Sequence, residues 1–389
     1  MQRLKIDLIA AARPNFMKVA PLFHALREQP WCRLRLVHTG QHYDQNMSDA
    51  FFRDLKLPPP DLHLDVGSGS HAEQTAKVML AYEGVCIANR PDLIVVVGDV
   101  NSTVACALVG TKLHVPVAHL EAGLRSRDRR MPEEINRLVT DVIADILWTP
   151  SPDGDENLAA EGVAPEKITR VGNIMIDSYE LMRERIEASG ERHKLGLDGR
   201  EYGVVTLHRP SNVDTAAPLQ ALVGQLTSIA ARLPLVFPVH PRTRKNLENF
   251  GLWAKLAAAP GLQVSEPLGY VDFMNVVCGA RLAITDSGGI QEETTYLDIP
   301  CLTVRTTTER PITITEGTNR LVTASELAPT VDEILAGHWT HGRKPELWDG
   351  HTAARVAADI RRRLLSAATD AAGEAIVVER SAQHRLDNA

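Results

Sequence analysis

The chain has 389 residues, 44% of them hydrophobic and 23% charged, with a net charge of −7. That length exceeds the roughly 250–300 residues at which one hydrophobic core stops growing, so two compact units are expected; no apolar run approaches the ~20 residues that span a bilayer. The negative balance argues against a nonspecific hold on nucleic acid, and five scattered cysteines without a C-x-x-C pair give neither a disulfide framework nor a zinc cluster and fit a reducing cytoplasm.

MQRLKIDLIAAARP reads as a first strand and not a leader, because strand-like Ile and Leu run straight into helix-start chemistry without a cleavage region. Phe16, Val19, Phe23 and Leu26 then recur at helical spacing, which predicts a helix starting just after Pro14. LRLVHTG, DLIVVVGD, VPVAHLE and ILWTPS are the following strands. Gln41-His42-Tyr43 is a strand-end cluster that suits a site wall, a regulatory pocket or a plain turn. After Met131-Pro132, the residues Ile135, Leu138, Val139, Val142, Ile143 and Ile146 mark another helical face, with Glu133 and Glu134 in its first turn.

Near Gly172 to Lys194, VGNIMIDS leads into the charged RERIEASGERHK, and this is the expected join. The same grammar restarts with YGVVTLHRPSN, LPLVFPVHP, LQVSEPLG, RLAITDSGG and IPCLTVR. Both halves open with a strand running into a proline turn, Arg13-Pro14-Asn15 in one and His208-Arg209-Pro210-Ser211 in the other, which suggests a weak internal repeat. Strands alternating with helices predict an α/β chain with two Rossmann-like parallel-sheet domains, 1–172 and 173–352. A helix within 353–372 is expected to pack back on the first domain, followed by a tail, 373–389.

Open parallel sheets bind ligands beyond the carboxyl ends of their strands, so strand-end residues carry the functional reading. In TDSGGIQEE the strand is expected to end near Thr285 and the helix to begin near Ile290, leaving Gly288 and Gly289 between them. Bare backbone at a helix start suits a phosphate; a glycine turn serves simple chain reversal equally well. Glu292 and Glu293 in the first helical turns would repel that phosphate unless aimed elsewhere, and a ribose diol is the natural target for such a carboxylate. A phosphate cradle beside a ribose clamp describes a nucleotide, with Arg305 and Arg310 available to balance its charge.

Asp99, Glu121 and Glu133 end or follow strands of the first half, a set that resembles acid/base equipment. Taken singly, Asp99 fits a cap of the following helix and Glu133 a helix-start carboxylate as well. Arg13, Lys18, Arg125 and Arg137 are the nearby cations, and His208 and His240 each end a strand in the second half, in position to line the site. No metal-ligand spacing appears. Without a P-loop, a G-x-G-x-x-G after the first strand or a G-x-S-x-G elbow, kinase, dehydrogenase and hydrolase readings fall.

Over residues 3 to 370, ARPNFMKVAP, VVVGDVNST, AHLEAGLRS, MPEEINR, TLHRPSN, PVHPRTR, TDSGGIQEE and TTTERP follow one another as in the non-hydrolysing UDP-N-acetylglucosamine 2-epimerases, which the chain resembles. The resemblance implies glycosyltransferase-B architecture, two domains facing across a cleft, and a cytoplasmic homodimer acting on a UDP-sugar without cofactor or metal. It also implies that Asp99, Glu121 and Glu133 are catalytic, with Arg13, Lys18 and His208 completing the site. Ser287, Gly288, Gly289, Glu293 and Arg310 would hold UDP, Glu293 on the ribose. The implied reaction eliminates UDP to a 2-acetamidoglucal and adds it back, since the C2 hydrogen of the sugar is not acidic until the anomeric bond breaks.

The chain departs from the family where Ala11-Ala12-Arg13-Pro14-Asn15 replaces the usual glycine-threonine-arginine-proline-glutamate, which leaves the geometry of the first loop open. Alternatives are a 2-epimerase of a 3-acetamido or uronic acid UDP-sugar, a glycosyltransferase of the same architecture, a hydrolysing epimerase, and a nucleotide-sugar sensor.

Overall fold

A computed structural model describes residues 3–11, 13–40, 55–339 and 341–366. The expectations for Gln41-His42-Tyr43, for residues 367–372 of the last helix and for the tail lie outside these residues. So does the side chain of Arg13, although its backbone opens a helix.

The first sheet contains β1 (Leu4–Ala10), β2 (Cys32–His38), β3 (Leu62–His63), β4 (Leu93–Val97), β5 (Val117–Leu120), β6 (Ile146–Thr149) and β7 (Ile168–Arg170). Its order is β3-β2-β1-β4-β5-β6-β7, with every pair parallel. The second sheet holds β8 (Gly203–Thr206), β9 (Leu235–Pro238), β10 (Leu262–Ser265), β11 (Leu282–Thr285), β12 (Cys301–Thr303) and β13 (Asn319–Leu321). It is also parallel, in the order β10-β9-β8-β11-β12-β13. Central strands such as LIVVV of β4 are buried on both faces, as a parallel sheet covered by helices requires. The chain is therefore two α/β units, each reversing its direction of strand addition, at β1/β4 and at β8/β11. Such switch points open the crevices where ligands of this architecture bind.

Helix Ile174–Ala188 joins the units. Its N-cap Asn173 accepts from the Met175 N–H at 2.9 Å and donates to Glu292 at 2.9 Å in the second unit. The Ser178 hydroxyl donates to the Met17 carbonyl in the first. One apolar cluster runs through this helix from Leu8 and Val95 to Val204 and Met274, so the two units share part of a core. The last helix, Thr352–Arg361, continues through a wider turn to Ser366 and lies on the first unit. There Asp359 accepts from Trp148 Nε1 at 2.8 Å, and Asp177 accepts from the Ala353 N–H at 2.8 Å.

Three details differ from the sequence expectations. Helix Arg13–Arg27 starts one residue before the proline instead of after it. Helix Gly288–Tyr296 begins two residues earlier than Ile290, which puts both glycines inside its first turn. In helix Pro132–Ile143 the apolar face does not mark the packed side: Ile135 and Val142 are 37% and 69% exposed, while Glu134, Asn136, Arg137, Thr140 and Asp141 are buried. Ile146 belongs to β6. The inversion arises because the polar face satisfies the loops of the site, whose backbone donors and arginines would otherwise be buried without partners.

Candidate functional site

β4 runs into Gly98, whose φ of +69° is a conformation that favours glycine. A Cβ there would stand 3.3 Å from Glu121 Oε2 and 3.4 Å from Lys18 Nζ, so the turn also leaves room for those two groups. Asp99 follows, half-buried and ion-paired with Arg137. Asn136 donates to the Asp99 carbonyl at 2.9 Å.

Glu121 follows β5 with φ +71°, a left-handed conformation costly for a residue with a side chain. Its carboxylate is buried, pairs with Lys18, and lies 3.7 Å from Arg310 Nη2. Burial pulls the Lys18 ammonium down, but the charges of Glu121 and Asp99 outweigh it and hold the group above its ordinary range.

The adjacent glutamates of helix Pro132–Ile143 have different surroundings. Glu134 accepts from the Ser126 N–H at 2.9 Å, the Arg127 N–H at 2.8 Å and Arg137 Nη2 at 2.6 Å. It therefore braces the loop after β5. Glu133 is half-buried and has no side-chain hydrogen bond or ion pair among the described residues, which leaves its carboxylate available. Arg125, expected as a nearby cation, is tied to Asp141 at 2.7 Å and Glu161 at 2.6 Å.

Two supports of this half escaped the sequence reading. His119 Nδ1 lies 2.6 Å from Asp141, and its Nε2 lies 2.8 Å from the Gly98 carbonyl. Asp141 also accepts from the Gly123 N–H at 3.0 Å, so one buried carboxylate braces the turns carrying Asp99 and Glu121. Asn15, at the departure in the first loop, accepts from the Ala11 N–H at 3.1 Å and donates to the Val97 carbonyl at 2.8 Å. Ala11 is thereby tied through Asn15 to the end of β4.

In the second unit, His208 follows β8 and places Nδ1 3.0 Å from Asp286, the buried residue after β11. The His240 ring, after β9, is 5.5 Å from that of His208. Burial, the neighbouring His208 and Arg242 all pull His240 below the usual histidine range. Ser287 precedes Gly288–Tyr296 in an extended conformation without a side-chain cap bond, so the helix presents its first backbone N–H groups uncapped. Arg310 is buried against this turn, hydrogen-bonded to Glu309 at 2.5 Å and ion-paired with Glu292 at 2.8 Å.

Glu293, expected on a ribose, is buried and accepts from the Tyr270 hydroxyl at 2.8 Å. Burial pushes its pKa up to about 8, more than the Tyr270 bond pulls it down. Glu292 is likewise raised by burial, against the lowering charge of Arg310. Tyr270, Asn173 and Glu309 had no strand-end signal to identify them.

Asp99, Glu121, Lys18 and Arg310 thus form one connected set of charges across the two units, and Arg310 joins that set to the start of Gly288–Tyr296. His208 and His240 form a neighbouring pair. Among the described residues no cluster of three or more His, Cys, Asp or Glu side chains is arranged to hold a metal, and no helix is long and apolar enough to cross a membrane.

A family model described as UDP-N-acetylglucosamine 2-epimerase matches residues 24–361. The UDP-N-acetylglucosamine 2-epimerase of Methanocaldococcus jannaschii is 41% identical over 325 residues, covering 82% of this chain and 88% of the relative. A UDP-2,3-diacetamido-2,3-dideoxy-D-glucuronate 2-epimerase of Pseudomonas aeruginosa is 40% identical over 83% of this chain and 89% of its own. The crystal structure of the M. jannaschii UDP-GlcNAc 2-epimerase in complex with UDP-GlcNAc and UDP superposes with a TM-score of 0.83 at 37% identity. It covers 92% of this chain and 100% of that one.

Proposed function

The chain belongs to the UDP-N-acetylglucosamine 2-epimerase family, and from that premise we propose that it interconverts UDP-GlcNAc and UDP-ManNAc by elimination and re-addition of UDP. The observation that carries this reading is the charge set at the junction of the units, where Arg310 lies against the start of Gly288–Tyr296 and within reach of Glu121. The uncapped helix start and Arg310 hold the diphosphate, and Glu293 faces the ribose. When the anomeric C–O bond breaks, its electron pair leaves with UDP. A carboxylate takes the C2 proton, and the electrons of that C–H bond form the C1=C2 bond of the glucal. A second acid returns a proton to C2 from the opposite face, and UDP re-forms the anomeric bond.

Asp99, Glu121 and Glu133 divide this proton work. Lys18 and Arg13 stabilise the negative charge gathering on the leaving group, with His208 and His240 lining the same cleft. The units stay closed over the intermediate so that glucal and UDP recombine. Incubation with UDP-GlcNAc in deuterium oxide tests the reading. Deuterium at C2 of both epimers supports it, and its absence rejects this sugar as substrate.

A second reading has a specific observation behind it. The P. aeruginosa relative named for a diacetamido-glucuronate substrate is as similar as the M. jannaschii enzyme. Exchange at C2 with that UDP-sugar alone would assign the chain to modified substrates.

The working form is a cytoplasmic homodimer. Leu80 and Ile87 are 73% and 72% exposed on helix His71–Ala88, and with Ile135 and Val142 they give the outer helices of the first unit an apolar surface that a second copy would cover.

A further inference from the structure

Asp286 makes more contacts than a turn residue needs. Its carboxylate accepts from the backbone N–H of His208 at 3.0 Å and of Arg209 at 2.9 Å, and from Asn212 Nδ2 at 3.0 Å. His208 Nδ1 lies 3.0 Å from its other oxygen. The side chain is fully buried at the end of a central strand, one residue before Ser287. Burial alone would raise its pKa, but the His208 contact and these donors hold it below the ordinary carboxylate range. An ionised carboxylate only accepts, so the nitrogen facing it must carry the proton. With Nδ1 turned to Asp286, Nε2 is the ring nitrogen left for a ligand, on a side chain that is 39% exposed.

We propose that Asp286 is a positioning residue for the reaction, fixing His208 in the Nδ1–H tautomer so that Nε2 faces the diphosphate held by the adjacent helix start. The inference rests on the epimerase reading above. His208 then meets the leaving group with a single defined atom, able to accept a hydrogen bond when neutral and to donate one when protonated. Both partners sit at the β8/β11 switch point, so the strand pairing that forms the crevice also sets the dyad.

Asp286→Asn keeps the shape and one acceptor oxygen for the loop, but it turns an amide donor toward Nδ1 and favours the other tautomer. The test combines steady-state epimerisation by D286N, H208Q and the double variant with nitrogen-15 spectra of histidine-labelled full-length protein. The neutral His208 of the wild type is expected to carry its proton on Nδ1, and that of D286N on Nε2. D286N should lose on the order of 100- to 10,000-fold in kcat, as mis-set histidine tautomers do elsewhere, with KM changed less than about threefold. In the H208Q background the same substitution should cost less than about threefold, because its route of action is gone. An equal loss in both backgrounds overturns the proposal. So does a wild-type spectrum with neutral His208 protonated on Nε2, which requires no variant to fold and no turnover. Failure of C2 exchange in the wild type would reject the epimerase reading while leaving the tautomer assignment standing.

Discussion

Arg310 reaches from the second unit to within 3.7 Å of Glu121 at the end of β5, while its Nε and Nη1 are held by Glu292 and Glu309. The cation is buried among three carboxylates; Glu121 also has Lys18 and Glu309 also has Arg305, whereas Glu292 has no other ion pair among the described residues. Removing Arg310 leaves the buried Glu292 without its cation, a change that usually costs about 3–5 kcal/mol. Arg310→Gln is expected to lose stability of that order in urea titrations and to bind UDP at least about tenfold more weakly. A variant with wild-type stability would mean the cluster is not coupled as its geometry implies.

Asp99 and Glu133 can be separated from the fold more cleanly. Glu133 has no bonded partner among the described residues, so Glu133→Gln should change stability by no more than ~0.5 kcal/mol. Asp99→Asn weakens one half-buried ion pair to Arg137. Both variants are expected to bind UDP nearly as wild type by calorimetry and to lose epimerisation by on the order of 100-fold or more. Full activity in both would refute their assignment to proton transfer. Glu134→Gln serves as the contrast. It should lower the melting temperature, because Glu134 holds the Ser126–Arg127 loop.

Helix Pro132–Ile143 also shows how far the sequence could be read. Its existence follows from Pro132 at the start and the periodic apolar residues, and the glutamates of MPEEINR are in plain view. Its orientation was not legible from periodicity, because charged residues that satisfy one another can be buried as well as leucines can. Glu134 meets Arg137 one turn away and the Ser126–Arg127 loop just before the helix, but the other contacts reach far along the chain: Arg137 meets Asp99 and Asp141 meets His119. The strand-end carboxylates and TDSGG were legible because parallel sheets direct strand ends toward the crevice. The supports behind them, His119, Asn173 and Tyr270, depend on tertiary contacts that leave no local pattern.

Glu293 predicts a pH dependence whose sign is fixed. Its folded-state pKa of about 8 stands above the ordinary 4.5, so the folded state retains a proton that the unfolded chain releases. Its contribution to stability is fully present below about pH 4.5 and is lost as pH rises toward 8. Glu293→Gln should flatten that decline, which could amount to a few kcal/mol, in urea midpoints measured from pH 5 to 8.5. Parallel curves for wild type and variant would show that the carboxyl does not titrate in this window.

The exposed apolar surface of the first unit gives a prediction about assembly. Leu80 and Ile87 lie seven residues apart on one helix and both face outward. Leu80→Glu combined with Ile87→Glu removes apolar contact and adds like charge where two copies would meet. The wild type is expected to sediment as a dimer and the double variant as a monomer with an intact circular dichroism spectrum. A monomeric wild type would leave that surface to some other partner.

Gly288 and Gly289 distinguish packing from ligand approach at one turn. At Gly288 a Cβ would stand 2.7 Å from Arg310 Nη1 and 2.8 Å from Glu309 Oε1, so Gly288→Ala must displace the buried pair and should cost about 1–3 kcal/mol. At Gly289 the nearest atom is Met175 Cε at 3.9 Å, an ordinary contact. Alanine there sits in the first helical turn, where it is a better helix former than glycine, so stability should be unchanged or rise by up to ~1 kcal/mol. If the diphosphate rests on the bare backbone of this turn, the added methyl group occupies its place. Gly289→Ala should then weaken UDP by about tenfold or more while the melting temperature holds or rises, a combination that a purely structural glycine would not give. Unchanged UDP affinity in that variant would move the phosphate away from Ser287–Gly289 and remove the support of the elimination mechanism on this side of the cleft.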